Sequence, residues 1–140
     1  MNKPQGKDAN IVIYCSDPRV VRWFHDKNFC KKLDLAEAHS VIAETGGIKF
    51  FLNEGLMASL FKQLKILIGH FSPEKIVLLN HLDCGYYKSL EFTDLGKMRE
   101  EMIKDIQLAA REIKDQFSDI LIEGYILNHD DGTLETIKLN

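Results

Sequence analysis

Three side chains in this 140-residue sequence combine types and spacing suited to holding a metal ion: Cys15, His81 and Cys84. His81-Leu82-Asp83-Cys84 is a His-x-x-Cys pair. On a tight turn or at a helix start, residues three apart share a face, so imidazole and thiolate can meet one ion. Zinc accepts neutral imidazole nitrogen and thiolate sulfur in a tetrahedron, and a catalytic site leaves one of the four positions open. Cys15 is the third expected ligand, reaching the same ion from another strand. Zinc bound this way lowers the pKa of a water in the open position to about 7, so hydroxide is available at neutral pH. Asp17 and Arg19 follow Cys15 by two and four residues and can form a charge-assisted pair. A carboxylate held by arginine stays ionised; it can accept a hydrogen bond from a metal-bound water or swing into the fourth position. The same two residues also read as a helix-capping aspartate and a surface arginine. Thiol redox chemistry at Cys15 and Cys84 is a further reading of the two cysteines.

These residues need strands and turns to bring them together. Ile11-Val12-Ile13-Tyr14-Cys15 reads as a buried strand, stopped by Ser16-Asp17-Pro18. Asp17 is the expected N-cap and Pro18 the first residue of a helix running through Val20, Val21, Trp23 and Phe24. Ser40 to Ala43 reads as a second strand ended by Thr45-Gly46-Gly47. Leu56, Met57, Leu60, Phe61, Leu64 and Leu67 fall at spacings of three and four, which predicts one long helix from about Asn53 to Ile68. Lys75 to Asn80 is a near-continuous apolar run, as in a parallel strand covered on both faces. A helix is expected over roughly Asp94 to Phe117, with Leu95, Met98, Met102, Ile106, Ala109 and Ile113 as its buried stripe. A strand at Ile120 to Leu127, a turn at Asp130-Asp131-Gly132 and a short edge strand over Thr133 to Leu139 complete the pattern.

Alternating strands and helices predict an α/β fold: a mostly parallel central sheet of about four to five strands with helices on both faces. In such sheets ligands bind beyond the carboxyl ends of the strands, where the strand order reverses. Cys15 and His81 both stand at such ends. The whole chain, 1–140, is read as a single zinc-binding domain, with residues 1–10 expected to be flexible.

With 45% apolar and 28% charged residues and a net charge of −3, nucleic acid and acidic membranes are not expected partners. No apolar run approaches the roughly 20 residues that span a bilayer, and no signal peptide is recognisable at the start. The expected location is the cytoplasm, where the three cysteines are thiols.

The run Cys15-Ser16-Asp17-Pro18-Arg19-Val20 resembles the first signature of the β-class carbonic anhydrases, Cys-x-Asp-Ser-Arg-Val. His81-Leu82-Asp83-Cys84-Gly85 resembles the second, His-x-x-Cys-Gly. Ile122 to Leu127, followed by Gly132-Thr133-Leu134, is similar to the family's closing strand and turn. The resemblance covers about Asn10 to Leu139. It implies reversible hydration of carbon dioxide to bicarbonate and a proton, with Cys15, His81 and Cys84 as zinc ligands and Asp17 and Arg19 as the dyad that manages the fourth position. It also implies a homodimer or higher homo-oligomer whose active sites lie at the subunit interface. A catalytically weak or inactive zinc-binding relative with a binding or regulatory role is the alternative.

The sequence departs from the family pattern in three places. Pro18 replaces the serine of the first signature. Ile42-Ala43-Glu44-Thr45-Gly46-Gly47 stands where the family has an Arg-Asn-Ala-Gly-Asn-like stretch. Only about ten polar residues precede the first strand, and Gln5 is the sole early candidate for the glutamine that family members place beside the substrate. Of the remaining residues, Cys30 reads as a helix-end or half-buried cysteine, and His25, His39, His70 and His129 as surface or interface histidines. Tyr86 and Tyr87 read as pocket-lining or core-covering residues, and Asp83 as a support for a ligand or a cap.

Overall fold

In the computed structural model, which describes residues 3–139, five strands form one sheet: β1 (Ile11–Cys15), β2 (Ser40–Glu44), β3 (Lys75–His81), β4 (Leu121–Asn128) and β5 (Thr133–Ile137). Their spatial order is β2-β1-β3-β4-β5. The first four are parallel and β5 runs antiparallel to β4. The fold is therefore the expected α/β architecture. From β1 the chain goes first to one side, to β2, and then to the other, to β3. The order reverses between β1 and β3, so a crevice opens at their carboxyl ends.

Period-two alternation divides the core. Ile11, Ile13 and Cys15 of β1 face one layer together with Ile76 and Leu78 of β3; Val12 and Tyr14 face the other with Val77 and Leu79. The first layer is covered by α3 (Ile48–Asn53), α4 (Met57–Phe71), α5 (Gly85–Ser89) and α6 (Leu95–Gln116). The second is covered by α1 (Pro18–Val21), α2 (Lys27–Lys32) and the loop through Leu33 and Leu35. Every residue of β3 is buried, as a central strand sandwiched between two helical layers requires.

Several boundaries differ from the sequence reading for local reasons. Asp17 does cap α1, accepting the Arg19 N–H, and Pro18 is its first residue. The helix stops at Val21, however, and passes through a 3₁₀ turn, Arg22–His25, into α2, which Asp26 caps with bonds from Asn28 and Phe29. The helix expected over about Asn53–Ile68 is α4, which starts later, at Met57, and runs on to Phe71; the short α3 before it was not expected. Gly55 takes φ +68°, a left-handed conformation that ends α3. Leu56, 38% exposed, becomes the residue before α4 rather than part of a buried stripe. Leu95 is 51% exposed at the first position of α6, so the stripe begins at Met98. β4 starts one residue later than expected and β5 ends at Ile137.

Of the stretch 1–10, residues 1 and 2 lie outside the described residues. Gly6–Ala9 form a 3₁₀ turn, and Asn10 is buried, its Oδ1 accepting the backbone N–H groups of Glu74 and Lys75 at 3.0 Å each. Those bonds seat the segment at the amino end of β3. Gln5 is thereby carried to the opposite end of the sheet from Cys15.

Candidate metal centre

β1 delivers Cys15 and β3 delivers His81 to neighbouring carboxyl ends. The turn after β3 then brings Cys84 round as the residue preceding α5. Asp83 makes this turn possible by adopting φ +60°, which aspartate tolerates better than most residues. The outcome is three buried side chains whose ligand atoms all lie within 4.8 Å of one another. Among the described residues, neither ring nitrogen of His81 has a hydrogen-bond partner. Buried polar atoms are normally paired, because an unpaired one loses its hydration without replacement. A metal ion answers that deficit. Two thiols and one imidazole are a donor set that suits zinc, and the three residues fit it.

The two sulfurs are not equivalent. Cys15 Sγ accepts the backbone N–H of Gly46 at 3.3 Å. Hydrogen bonding from the Cys84 thiol, and from that N–H, holds Cys15 well below the usual thiol range despite burial. Cys84 is pushed upward, first by sharing its proton with Cys15 and then by burial. Cys15 is the sulfur prepared to be a thiolate.

Asp17 and Arg19 form the pair their spacing suggested, and they do more than cap. Arg19 reaches Asp17 through its backbone N (2.8 Å), through Nε to both carboxylate oxygens (3.2 Å each) and through Nη2 (2.7 Å). This fork holds the Asp17 carboxyl down to about 2. Its Oδ2 stands 3.9 Å from His81 Nε2, on the margin of the three-donor group. Arg19 also donates Nη1 to Asp83 Oδ2 at 3.2 Å and Nη2 to the Asp83 carbonyl at 3.1 Å. One guanidinium thus fastens the Cys15 loop to the His81–Cys84 loop. Asp83 is paired a second time, with Lys88, and its carboxyl is lowered first by Lys88 and then by Arg19.

Tyr87 is fully buried. Its hydroxyl donates to Asp105 Oδ2 at 2.8 Å and accepts from Asn80 Nδ2 at 3.1 Å; Lys49 Nζ pairs with Asp105 at 3.1 Å. Tyr86 lies over the Gly46 turn instead: a Cβ added to Gly46 would sit 2.5 Å from the Tyr86 ring. Two residues depart from their sequence reading. His129, expected at the surface or an interface, is 4% exposed within the chain, and its ring centroid lies 5.3 Å from that of His81. Its carbonyl accepts from Trp23 Nε1 and Arg22 Nη2, which pulls the end of β4 inward. Position directly after a buried strand was the signal that could have found it. Cys30 is fully buried in the second layer, its thiol donating to the Phe24 carbonyl, remote from the metal group. His25 and His70 are exposed and His39 is half-buried. A cavity of about 500 Å³ lies between α6 and β4, lined in part by Leu108, Arg111 and Leu121, and shares no residue with the metal group.

No protein-family model matches the sequence, and no curated protein matches it. Solved structures do. The carbonic anhydrase from Streptococcus mutans matches 99% of this chain and 87% of its own, with a TM-score of 0.66 and 19% identity. β-Carbonic anhydrase isoform I from Trichomonas vaginalis matches 98% of this chain and 87% of its own, with a TM-score of 0.62 and 17% identity. The carbonic anhydrase from Glaciozyma antarctica matches 98% and 85%, with a TM-score of 0.63 and 16% identity. With nearly its whole length laid on such structures, and with a Cys-His-Cys group at the carboxyl ends of two adjacent parallel strands, this chain has the fold of the β-carbonic anhydrases.

Proposed function

We propose that the chain is one zinc-binding domain that catalyses the reversible hydration of carbon dioxide to bicarbonate and a proton. The observation that carries this reading is the buried convergence of Cys15, His81 and Cys84, with the imidazole nitrogens unpartnered among the described residues. These three residues would hold one zinc ion per chain. Bound there, zinc supplies a Lewis acid that acidifies a water molecule in its remaining position. Asp17 stays ionised under the Arg19 fork and offers a carboxylate oxygen on the His81 side, which would accept a hydrogen bond from such a water. Arg19 takes up Asp17 acceptor directions and so limits where the remaining lone pairs point. Through Asp83 it keeps the two ligand loops in one arrangement. A homodimer or higher homo-oligomer fits the family resemblance, and no described helix is long and apolar enough to cross a membrane.

The test is stopped-flow carbon dioxide hydration on protein carrying one zinc per chain. Turnover above buffer is expected, and Asp17→Asn is expected to lower it by about 10- to 100-fold with zinc retained, the usual effect of losing a group that supports a metal ligand shell. The second reading is a carbonic-anhydrase-like zinc module with weak or no turnover and a binding or regulatory role. The Ala43–Gly47 stretch favours it, since it departs from the family pattern directly beside Cys15, with Glu44 paired to Cys15 in the sheet. One zinc per chain with no acceleration over buffer would establish that reading.

A further inference from the structure

Cys15 Sγ accepts the backbone N–H of Gly46 at 3.3 Å, and that N–H comes from a turn whose conformation needs explanation. Gly46 has φ +97°, a value that side-chain-bearing residues rarely adopt. The turn is bonded internally, Gly47 N–H to the Glu44 carbonyl at 2.8 Å, and is joined to the Cys15 loop by Ser16 N–H to the same carbonyl at 3.1 Å. Neither bond fixes the direction of the Gly46 N–H. The Tyr86 ring bears on it directly. Ideal Cβ placement on Gly46 would bring that atom to 2.5, 2.6 and 2.9 Å from Tyr86 Cγ, Cδ2 and Cβ, so bare backbone is packed against the ring.

The ring is held at both ends. Its backbone lies two residues beyond Cys84. Its hydroxyl donates to Glu54 Oε2 at 2.9 Å and accepts from Asn53 Nδ2 at 3.1 Å, at the end of α3. Phe50 packs edge-on against it at 6.0 Å. A ring clamped in this way cannot withdraw from Gly46 without breaking those bonds.

We infer that Tyr86 is a positioning residue of the metal group: by packing on Gly46 it holds the Gly46 N–H on Cys15 Sγ, and so couples the loop of one thiolate ligand to the other. The inference rests on the zinc reading above and specifies how that site is tuned. An N–H donated to a thiolate withdraws electron density from sulfur and fixes its lone-pair direction, and outer partners of this kind are worth about 10- to 100-fold in metal affinity.

Zinc affinity by chelator competition, the absorption spectrum of the cobalt(II)-substituted protein and the melting temperature of metal-free protein test it together. Tyr86→Ala is expected to weaken zinc by about 10- to 100-fold and to shift the thiolate-to-cobalt charge-transfer band. Tyr86→Phe, which keeps the ring but loses both hydroxyl bonds, is expected to fall between the parent and Tyr86→Ala in zinc affinity and in band position. If Tyr86→Ala does not fold, Tyr86→Leu carries the same expectation, since a branched chain fills space without a flat face. Parent-like affinity and an unshifted band in the folded Ala or Leu variant would overturn the inference. So would weaker binding with an unshifted band and an equal loss of metal-free stability, which marks a merely structural residue. Parent protein that binds neither metal, or whose cobalt form lacks a thiolate band, overturns the zinc reading itself and this inference with it.

Discussion

His81 sits among the least exposed residues of the chain, yet neither nitrogen is paired among the described residues. Leaving a buried polar group unpaired costs about 1–3 kcal/mol, a penalty that metal ligation removes. The same logic makes Cys84 the residue to remove. Cys84→Ser replaces a soft thiolate with a hydroxyl that ligates zinc poorly. The expected result is zinc content well below one per chain, with a melting temperature that no longer responds to added zinc. Elemental analysis and calorimetry on the same preparation check both halves. Retention of one tightly held zinc would place the ion elsewhere. Asp17→Asn, by contrast, acts on a carboxylate next to the group and is expected to leave zinc content intact.

Between elements, the polar network behind the site matters more than any single pair. Asn80 of β3, Tyr87 of α5, Asp105 of α6 and Lys49 of α3 are joined in sequence, and Asn80 and Tyr87 flank the His81–Cys84 motif. Burial raises the Asp105 carboxyl above its ordinary value, and the Tyr87 and Lys49 bonds only partly oppose it. A carboxyl raised by folding holds its proton more readily folded than unfolded. Its contribution to stability is therefore greatest below the unfolded value near 4 and declines as pH rises through the folded value. Urea unfolding of metal-free protein from pH 4 to 7 is expected to show this decline, and Asp105→Asn to lack it. A parallel pH dependence in the two proteins would assign the slope elsewhere. α6 itself is set close to the sheet by Gly124 of β4, where a Cβ would meet Ile106 Cγ2 at 2.5 Å. Gly124→Ala is expected to cost about 1–3 kcal/mol by overpacking, read as a lower urea midpoint with an unchanged slope.

At the scale of the molecule, the ligands come from the carboxyl ends of two parallel strands that residues 16–74 separate in the chain but that are neighbours in the sheet. An ion held by all three closes that long loop, so binding free energy is also folding free energy. Free zinc at one hundred times its dissociation constant is expected to add about 2.7 kcal/mol, close to 10 °C in Tm for a chain of this size. Chelation is expected to reverse the gain, and a Tm indifferent to zinc and chelator would contradict it. The Arg19–Asp83 bonds bridge the same two loops without metal, so the metal-free protein is expected to keep its fold while melting earlier.

The strand cores, the Asp17 cap with Pro18 behind it and the donor types at Cys15, His81 and Cys84 were legible in the sequence. Each depends on neighbours within a few residues: an apolar run, a cap, a three-residue spacing. That β1 and β3 lie side by side is decided by the sheet order and not by any residue. Other features appear only when distant segments pack. The left-handed turn at Gly55 ends the short α3 and delays the start of the expected helix to Met57. Arg19 takes Asp83 as a second partner 64 positions away. Trp23 and Arg22 draw in the end of β4, and His129 goes under cover. Tyr86 lands on Gly46, forty positions earlier in the chain. The sequence by itself determined which atoms can bind zinc; tertiary packing decided how those atoms are held, because hydrogen-bond direction and burial are set by residues that meet only in the folded chain.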